Sequence, residues 1–435
     1  MSALRQVGTG EATGAAGRRG AGPGAGWDTA GMTSFPVVPE DVAAARELLR
    51  GTISETPMRH SRVLSERLGG PVYFKCENLQ RTGSFKSRGG YVRIARLPEA
   101  DRARGVVAAS AGNHAQGVAF AAVPFGVKAT VFMPEGAPLP KIEATKGYGA
   151  DVILTGASVE EAMAAAIAHA QERGSVYIHP FDHPDVIAGQ GTVGLEILEQ
   201  CPDVRTIVIP VGGGGLASGI AIAAKAHNPA IRIIGVQAEA AAPLPPSIAA
   251  GHPVRVDVSP TMADGICVNH VGEITFPILS ELAESILTVS EDALSRALLL
   301  CLERAKLLVE PAGAAAVAAI LEHQHAFEPP VVAVLSGGNI DPLLLAKVLR
   351  HGLSAAGRYL SFRCRLPDRP GALATLLSEL ASLGANVLGI VHERGAPQLH
   401  VDEAEVLLQV ETRGPAHCEE VISRLKRAGY TLIFR

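Results

Sequence analysis

Short apolar segments alternate with helical patterns along most of this 435-residue chain. Helical patterns occur, for example, at Ser158–Arg173, Leu216–His227 and Ser290–Lys306, and an amphipathic helix over Pro39–Leu49 precedes the first strand. Such alternation predicts parallel sheets covered by helices on both faces, with ligands bound beyond the carboxyl ends of the strands. The strand candidates are Pro71–Cys76, Gly105–Ala109, Ala129–Met133, Asp151–Thr155, Val176–Ile178, Thr206–Val211, Ile231–Val236 and Val331–Leu335.

The pattern changes at residues 354–357. The order βαββαβ that follows predicts a small ferredoxin-like sheet with helices on one face. We therefore divide the chain into an α/β domain over residues 34–355 and a C-terminal domain over residues 358–435. The predicted elements of the second domain are the strands Tyr359–Leu366, Ala385–Glu393, Glu403–Glu411 and Tyr430–Phe434, and the helices Gly371–Leu383 and Pro415–Ala428.

Residues 1–33 are rich in glycine and alanine and contain few large apolar side chains. They cannot bury enough surface to offset the entropy lost on ordering, so we expect them to be disordered. Met32 precedes the first structured segment, and our hypothesis is that the first 31 residues are not translated. Detection of a native peptide over Ser2–Arg18 by mass spectrometry would refute it.

Composition excludes several classes of protein. Aromatic residues make up only 4% and the net charge is −4, which argues against a nucleic-acid binder. Apolar runs such as Val331–Leu335 are too short to span a bilayer. The six cysteines form no C-x-x-C pair, so neither a zinc knuckle nor a disulfide framework is indicated, and a reducing cytoplasm is the expected location.

A glycine- and serine-rich turn, Gly83–Gly90 (GSFKSRGG), follows the first strand candidate and contains Lys86. Ser84 can cap the next helix by accepting a backbone N–H bond. Burial and the positive helix end both disfavour an ammonium ion, so we expect Lys86 to have a lowered pKa and a nucleophilic amine. A lone lysine in a turn is more often merely exposed to solvent, so this interpretation depends on the loops that follow.

Three further loops follow strand candidates and lead into helices. Ser110–His114 (SAGNH) offers a hydroxyl, a carboxamide and backbone N–H groups, which suit a carboxylate. Gly212–Leu216 (GGGGL) can direct successive N–H groups at one anion, and because it has no dinucleotide-type acidic partner, a phosphate monoester fits it best. Ser336–Asn339 (SGGN) can meet a flat ring edge-on. Each loop taken alone could be only a cap or a tight turn.

Together the four loops resemble the motifs of fold-type II pyridoxal-phosphate enzymes and, among these, of the threonine/serine dehydratases. The resemblance covers roughly residues 35 to 350. It implies an α/β fold like that of the tryptophan synthase β subunit, with two open parallel-sheet subdomains, and pyridoxal 5′-phosphate as cofactor. The C-terminal domain resembles a single ACT regulatory domain, with Asp368–Leu373 (DRPGAL) as its marker.

This resemblance implies a role for each loop. Lys86 would carry the cofactor covalently and then act as the base that removes the Cα proton of the substrate. Asn113 would hydrogen-bond the ring oxygen of the cofactor, and Ser336 would face its pyridine nitrogen. The other cofactor contacts would be Phe85, Gly212, Gly213, Gly214, Gly215 and Leu216, and the substrate carboxylate would be held by Ser110, Ala111, Gly112, Asn113 and His114.

These assignments imply an elimination. A hydroxyl such as that of Ser336 cannot hold a proton on the pyridine nitrogen, so loss of a β-hydroxyl is favoured over transamination. The expected reaction converts L-threonine to 2-oxobutanoate and ammonia, and L-serine to pyruvate. Similar serine racemases have a hydroxyl residue where this chain has Ala111, so racemisation should be slow. Racemase or β-replacement activity and a catalytically dead amino-acid sensor remain the alternatives.

Some relatives bind a cation through a glutamate at the position of Glu239 and an aspartate six residues later. This chain has Pro245 there, which argues against a divalent site and leaves Glu239 open between ligand and solvated charge. Glu310, in the segment Val309–Gly313 (VEPAG), also matches the family, but the resemblance assigns it no definite role.

ACT domains usually pair, so the resemblance implies a homodimer or homotetramer. An amino-acid effector, isoleucine or valine, would bind near Asp368 and Gly371, with Asn386 as a further polar contact. The alternative is an assembly domain without an effector, since single ACT domains also occur in catabolic enzymes that lack feedback inhibition.

Overall fold

The computed structural model describes residues 35–394 and 399–434. The predicted disordered tail, residues 1–33, lies outside the described residues. Fourteen strands are formed in the described part: β1 Met58–His60, β2 Val72–Cys76, β3 Val106–Ala109, β4 Ala129–Met133, β5 Asp151–Leu154, β6 Val176–Tyr177, β7 Thr206–Pro210, β8 Arg232–Ala238, β9 Ser285–Val289, β10 Val331–Leu335, β11 Tyr359–Pro367, β12 Asn386–Glu393, β13 Glu403–Glu411 and β14 Leu432–Ile433.

The α-helices of the described residues separate these strands. They are α1 Pro39–Leu49, α2 Arg62–Leu68, α3 Lys86–Ala95, α4 Glu99–Ala103, α5 Asn113–Ala122, α6 Leu139–Gly147, α7 Val159–Arg173, α8 Pro184–Gln200, α9 Gly215–His227, α10 Leu244–Ala250, α11 Thr275–Leu282, α12 Glu291–Leu300, α13 Ala315–Glu322, α14 Pro342–Ala355, α15 Ala372–Ser382 and α16 Pro415–Arg427. None of the described helices is long and apolar enough to cross a membrane.

The larger sheet has the strand order β1-β2-β10-β7-β8-β9. All its neighbours pair in parallel except β1, which pairs antiparallel with β2. Alternate residues of the strands enter two separate cores. Ile207 and Ile209 pack with α1, α8 and α9 on one face, and Val208 packs with α12 and α13 on the other. The sheet is thus covered on both faces, as predicted.

A smaller parallel sheet, with the order β5-β4-β3-β6, forms the second subdomain. Its strands begin and end close to the predicted limits, and α5 and α7 pack against it. The sequence also explains where helix α7 begins and ends. The Ser158 side chain accepts a hydrogen bond from the backbone N–H of Glu161 at its start, and Gly174 ends it with a left-handed backbone, φ +69°.

The C-terminal domain is an antiparallel sheet of order β12-β13-β11-β14, against which α15 and α16 pack. The sequence of elements is the predicted βαββαβ. Residues Leu360, Phe362 and Cys364 alternate into its core, while the residues between them face away from it. The ferredoxin-like pattern of this domain is therefore present.

Three predictions about secondary structure were wrong. Strands β1 and β9 were missed, β1 because its three residues, MRH, carry no apolar alternation. The predicted helix Ser290–Lys306 is α-helical only to Leu300 and continues as a short π-helix over Cys301–Ala305. It ends at Lys306, which has a left-handed backbone with φ +59°.

Candidate active site

The four loops predicted from the sequence line one cavity of about 320 Å³. Three follow the carboxyl ends of β2, β10 and β7 in the larger sheet, and the fourth follows β3 in the smaller one. The cavity therefore lies between the two parallel sheets, at the edge where such folds bind ligands. It is lined by all the residues predicted for cofactor or substrate: Phe85, Lys86, Ser110, Ala111, Gly112, Asn113, His114, Gly212, Gly213, Gly214, Gly215, Leu216 and Ser336.

Lys86 is the first residue of α3, and its side chain is enclosed by the cavity wall. Its Nζ donates a hydrogen bond to the carbonyl oxygen of Pro180 at 2.7 Å. Burial lowers the pKa of Lys86 to about 8, although the nearby carboxyl of Glu310 partly opposes this. At pH 7 about a tenth of this amine is thus unprotonated, and the unprotonated amine is the form that acts as a nucleophile or a base.

The prediction that Ser84 caps α3 was wrong. The helix begins after Phe85, and no side chain caps it. The Ser84 backbone instead forms a β-bridge with Gly337, and its buried hydroxyl has no hydrogen-bond partner within the described structure. The strand-like pairing fixes Ser84 before the helix starts, which explains why the cap is not made.

The same bridge ties the lysine turn to the loop that contains Ser336. The N–H of Phe85 donates to the carbonyl of Ser336 at 3.2 Å, and the N–H of Gly338 donates to that of Gly83 at 2.8 Å. Gly83 has φ +72°, and a Cβ there would lie 2.3 Å from Oδ1 of Asn339. The amine and the hydroxyl are therefore set relative to each other by backbone hydrogen bonds.

The tetraglycine loop leads directly into α9, whose first residue is Gly215. The ring of Phe181 explains the lack of side chains, since a Cβ on Gly213 would lie 2.3 Å from it. Gly214 has φ +101°, which a residue with a side chain rarely adopts. The backbone N–H groups at a helix start carry partial positive charge, so this end of the cavity suits an anion.

The loop Ser110–His114 leads into α5, which begins at Asn113. The Ser110 hydroxyl accepts a hydrogen bond from the N–H of Gly112 at 3.1 Å. The Nε2–H group of the His114 imidazole is not available to an anion. Nε2 lies 2.8 Å from the carbonyl oxygen of Ile178 and must donate its hydrogen to that oxygen. Burial lowers the pKa of His114 to about 3, so this side chain is neutral and contributes no positive charge to a carboxylate site.

Asn113 is held by two polar side chains from other loops. Its Nδ2 donates to Oε1 of Glu310 at 2.6 Å, and its Oδ1 accepts from Nδ2 of Asn339 at 2.9 Å. Glu310 lines the cavity and is 4% exposed. Burial raises the pKa of Glu310 to about 7, and Asp264 adds to the shift.

The sequence interpretation missed the segment Ile178–His183, which follows β6. Its Phe181 packs against the tetraglycine loop, and Asp182 accepts hydrogen bonds from the N–H groups of Glu273 and Ile274 at the start of α11. The carbonyl of Pro180, in the same segment, accepts the hydrogen bond from Lys86. The sequence feature that could have identified this segment is its position after a strand of the smaller sheet, where functional loops of this fold class are found.

A metal site finds no support in the described residues. They contain no group of three or more His, Cys, Asp or Glu side chains placed to hold an ion. Glu239, which the sequence left open between ligand and solvated charge, is exposed just after β8.

Within one chain, the predicted effector residues do not come together. Asn386 begins β12 and pairs with Glu411, which also pairs with Tyr359 at the start of β11. Asp368 and Gly371 follow the opposite end of β11, so Asn386 lies across the length of the sheet from them. The side chain beside Asp368 is Arg394, whose Nε donates to Oδ1 at 2.9 Å.

The chain is similar to several known proteins. Residues 49–337 match the family model described as pyridoxal-phosphate dependent enzyme. The chain is 49% identical over 390 residues to an L-threonine ammonia-lyase of Geobacter sulfurreducens, covering 89% of this chain and 97% of that protein. It is similar to the crystal structure of a T.th. threonine deaminase (TM-score 0.67, 43% identity, 70% of this chain and 99% of that one). It is also similar to a maize serine racemase structure (TM-score 0.68, 35% identity, 72% and 98%).

Proposed function

Because the chain belongs to the family of pyridoxal-phosphate-dependent enzymes, we propose that it is a lyase that deaminates L-threonine to 2-oxobutanoate and ammonia. L-Serine would give pyruvate and ammonia in the same way. The observation that carries this proposal is the convergence of Lys86, the tetraglycine loop and Ser336 on one cavity. The 49% identity to an L-threonine ammonia-lyase over 97% of its length supports the choice of reaction.

The residues of the cavity fit pyridoxal phosphate. Because its pKa is lowered to about 8, part of the Lys86 amine is unprotonated near neutral pH and can form a bond with an aldehyde. The backbone of Gly212–Gly215 forms a cradle that side chains would fill, at the start of a helix that attracts a phosphate group. Asn113 and Ser336 also line the cavity and could form hydrogen bonds with the polar atoms of a flat ring.

When bound, this cofactor withdraws electrons from the substrate and so weakens its Cα–H bond. The amine of Lys86 is the base that removes the Cα proton. Backbone N–H groups of the Ser110–His114 loop hold the substrate carboxylate, since the His114 imidazole is neutral and engaged with Ile178. The two loops orient the substrate between a proton acceptor and an anion site.

Two side chains favour elimination over transamination and racemisation. The Ser336 hydroxyl is neutral and can share a hydrogen bond with a ring nitrogen without protonating it. Ala111 lines the cavity with a methyl group, which cannot return a proton to the opposite face of the substrate. Transamination and racemisation are therefore disfavoured.

The C-terminal domain is, in our proposal, an ACT-type regulatory domain that pairs with a second copy. Strand β12 is the edge of its sheet, and its Leu388 and Val391 are 53% and 48% exposed. An exposed apolar edge strand favours pairing with another strand. Pairing would also bring Asn386 of one copy toward the Asp368–Gly371 loop of another, which a single chain keeps apart. Isoleucine or valine is the proposed effector of this interface.

A steady-state assay tests the proposed function. Purified protein with pyridoxal phosphate should release 2-oxobutanoate and ammonia from L-threonine, and pyruvate from L-serine. Added isoleucine or valine should change the rate if the C-terminal domain binds an effector. Formation of D-serine or of a new amino acid in place of the 2-oxo acids would contradict the reaction, whatever the effect of the added amino acids.

The lowered pKa of Lys86 predicts how the cofactor-free protein captures the cofactor aldehyde. Only the unprotonated amine reacts, so the capture rate should rise about tenfold per pH unit below pH 8 and level off above it. The measurement is the rate of absorbance change when the cofactor-free protein is mixed with pyridoxal phosphate across a pH series. A rate still rising at pH 10 would mean that the amine has its ordinary pKa.

A further inference from the structure

A directional chain of hydrogen bonds lies behind one wall of the cavity. It runs from the Thr82 carbonyl through Asn339 and Asn113 to Glu310. Asn339 Nδ2 lies 2.7 Å from the Thr82 carbonyl oxygen and 2.9 Å from Asn113 Oδ1. Asn113 Nδ2 then lies 2.6 Å from Glu310 Oε1. The chain links the lysine turn, the Ser336 loop, the start of α5 and the segment before α13.

The direction of this chain is set at one end. A backbone carbonyl can only accept a hydrogen bond, so Asn339 must turn its NH₂ group toward Thr82. The second hydrogen of that group then meets the Oδ1 atom of Asn113, which leaves the NH₂ group of Asn113 facing Glu310. The Glu310 oxygen accepts in either protonation state, so the direction does not depend on whether this carboxyl is ionised.

The consequence for the cavity follows from the count of hydrogens. The Asn113 NH₂ group has two, and Glu310 takes one. The Oδ1 atom of Asn113 is already directed at Asn339, which lies outside the residues that line the cavity. Asn113 therefore keeps one N–H hydrogen that Glu310 does not take, while its Oδ1 atom is held on the side of Asn339. A donor at this position favours a bound ring oxygen that is ionised, because such an oxygen accepts hydrogen bonds strongly.

We propose that Asn339 and Glu310 are positioning residues that hold the Asn113 carboxamide as a donor, so that the site selects the cofactor with its ring oxygen ionised. This inference rests on the proposed function, since it requires pyridoxal phosphate in the cavity. It concerns two side chains to which the sequence motifs assign no defined role, and one of them acts without touching the cavity.

The test is a comparison of three variants by cofactor affinity and visible absorbance. Asn339→Asp keeps the shape but replaces the donor by an acceptor, so Asn113 should reverse and turn Oδ1 toward Glu310 and the cavity. We expect cofactor affinity to fall about tenfold and absorbance to shift from the ionised-oxygen band to the neutral one at shorter wavelength. Asn339→Ala should give a smaller change in the same direction, because Glu310 still accepts from Asn113.

Glu310→Gln is the conservative variant, and it should keep the wild-type band ratio because Gln offers an acceptor of similar shape. Asn78→Ala is the matched control. Asn78 is a nearby carboxamide whose Nδ2 donates to the Leu308 carbonyl at 3.0 Å, and it lies outside the cavity lining. Its loss should leave the band ratio unchanged, whereas a general loosening of the loops would change the ratio in this control as well.

Two results are decisive and distinct. If wild-type protein fails to bind pyridoxal phosphate at Lys86, as judged by borohydride reduction and peptide mass spectrometry, the proposed function fails. If wild type binds it and both Asn339 variants, folded by circular dichroism, show the wild-type band ratio and affinity, the positioning role is overturned. Should Asn339→Asp not fold, Asn339→Ala decides alone, with a wild-type ratio counting against the proposal.

Discussion

Replacing Lys86 by alanine should abolish threonine turnover, with kcat reduced at least ~1,000-fold. The variant loses both the amine that bonds the cofactor and the base that removes the Cα proton. The measurement is 2-oxobutanoate release at saturating L-threonine and pyridoxal phosphate. Lys146→Ala is the control, because Lys146 is an exposed lysine of α6 that pairs with Glu143, and its loss should leave turnover unchanged.

Protein stability separates this role from a structural one. Folding lowers the pKa of Lys86 from its ordinary value to about 8, so the folded state disfavours the charged form. Below pH 8 the buried amine therefore opposes folding, and at pH 7 cofactor-free Lys86→Ala should be as stable as cofactor-free wild type or more stable. An inactive variant with a lower melting temperature would point to a structural role, and a folded variant that still turned over threonine would refute the assignment.

The sequence allowed the site to be predicted because of a property of parallel sheets. Lys86, Ser110, Gly212 and Ser336 each follow a strand, and the carboxyl ends of parallel strands lie at one edge. The convergence of Lys86, Gly212 and Ser336 therefore follows from strand assignment, even though the limits of several strands were one or two residues off. Ser110 follows a strand of the smaller sheet, so its approach to the same cavity depends on how the two sheets face each other. The expected ligand of each loop was then inferred from the residue types within that loop, which can be read directly from the sequence.

What the sequence did not predict depends on contacts between distant residues. Glu310 and Asn113 are 197 positions apart, and no local pattern indicates that their side chains meet. The role of Phe181 against Gly213 is equally non-local. The His114 imidazole was expected at a carboxylate, but its orientation is decided by the carbonyl of Ile178, which lies just after β6. The local cap rule applied to Ser84 failed for the same reason, since a β-bridge with Gly337 overrides it.

A buried cluster of charges beneath α3 was also missed, although the lysine in the strand candidate Pro71–Cys76 was a signal. Arg88 donates to both oxygens of Glu77 at 2.9 and 2.8 Å, and to Glu196 at 2.6 Å. Lys75 donates to the other oxygen of Glu196 at 2.5 Å. Two cations and two carboxylates thus balance one another, and they join β2, α3 and α8 behind Lys86.

Replacing Arg88 by methionine should lower the free energy of unfolding by about 3–5 kcal/mol, the usual cost of leaving a buried charge without its partner. Burial alone would raise the pKa of Glu77, but attraction to Arg88 and its hydrogen bonds outweigh burial and lower it. Without Arg88 the carboxyl loses most of this compensation. Denaturant unfolding at pH 7 measures the change, and Arg46→Met, which removes an exposed partner of Glu199, should cost no more than about 1 kcal/mol.

The pH dependence gives the same prediction a second form. A carboxyl with a lowered pKa stabilises the fold above its unfolded pKa and loses that contribution as the pH falls through its folded pKa. Wild-type protein should therefore lose stability on acidification below the ordinary range of glutamate, and Arg88→Met should lose less, because its Glu77 no longer has a lowered pKa. The double variant Arg88→Met/Glu77→Gln removes the orphaned charge and should recover part of the lost stability. If the double variant were as unstable as the single one, the loss would come from packing around the Arg88 side chain rather than from its charge.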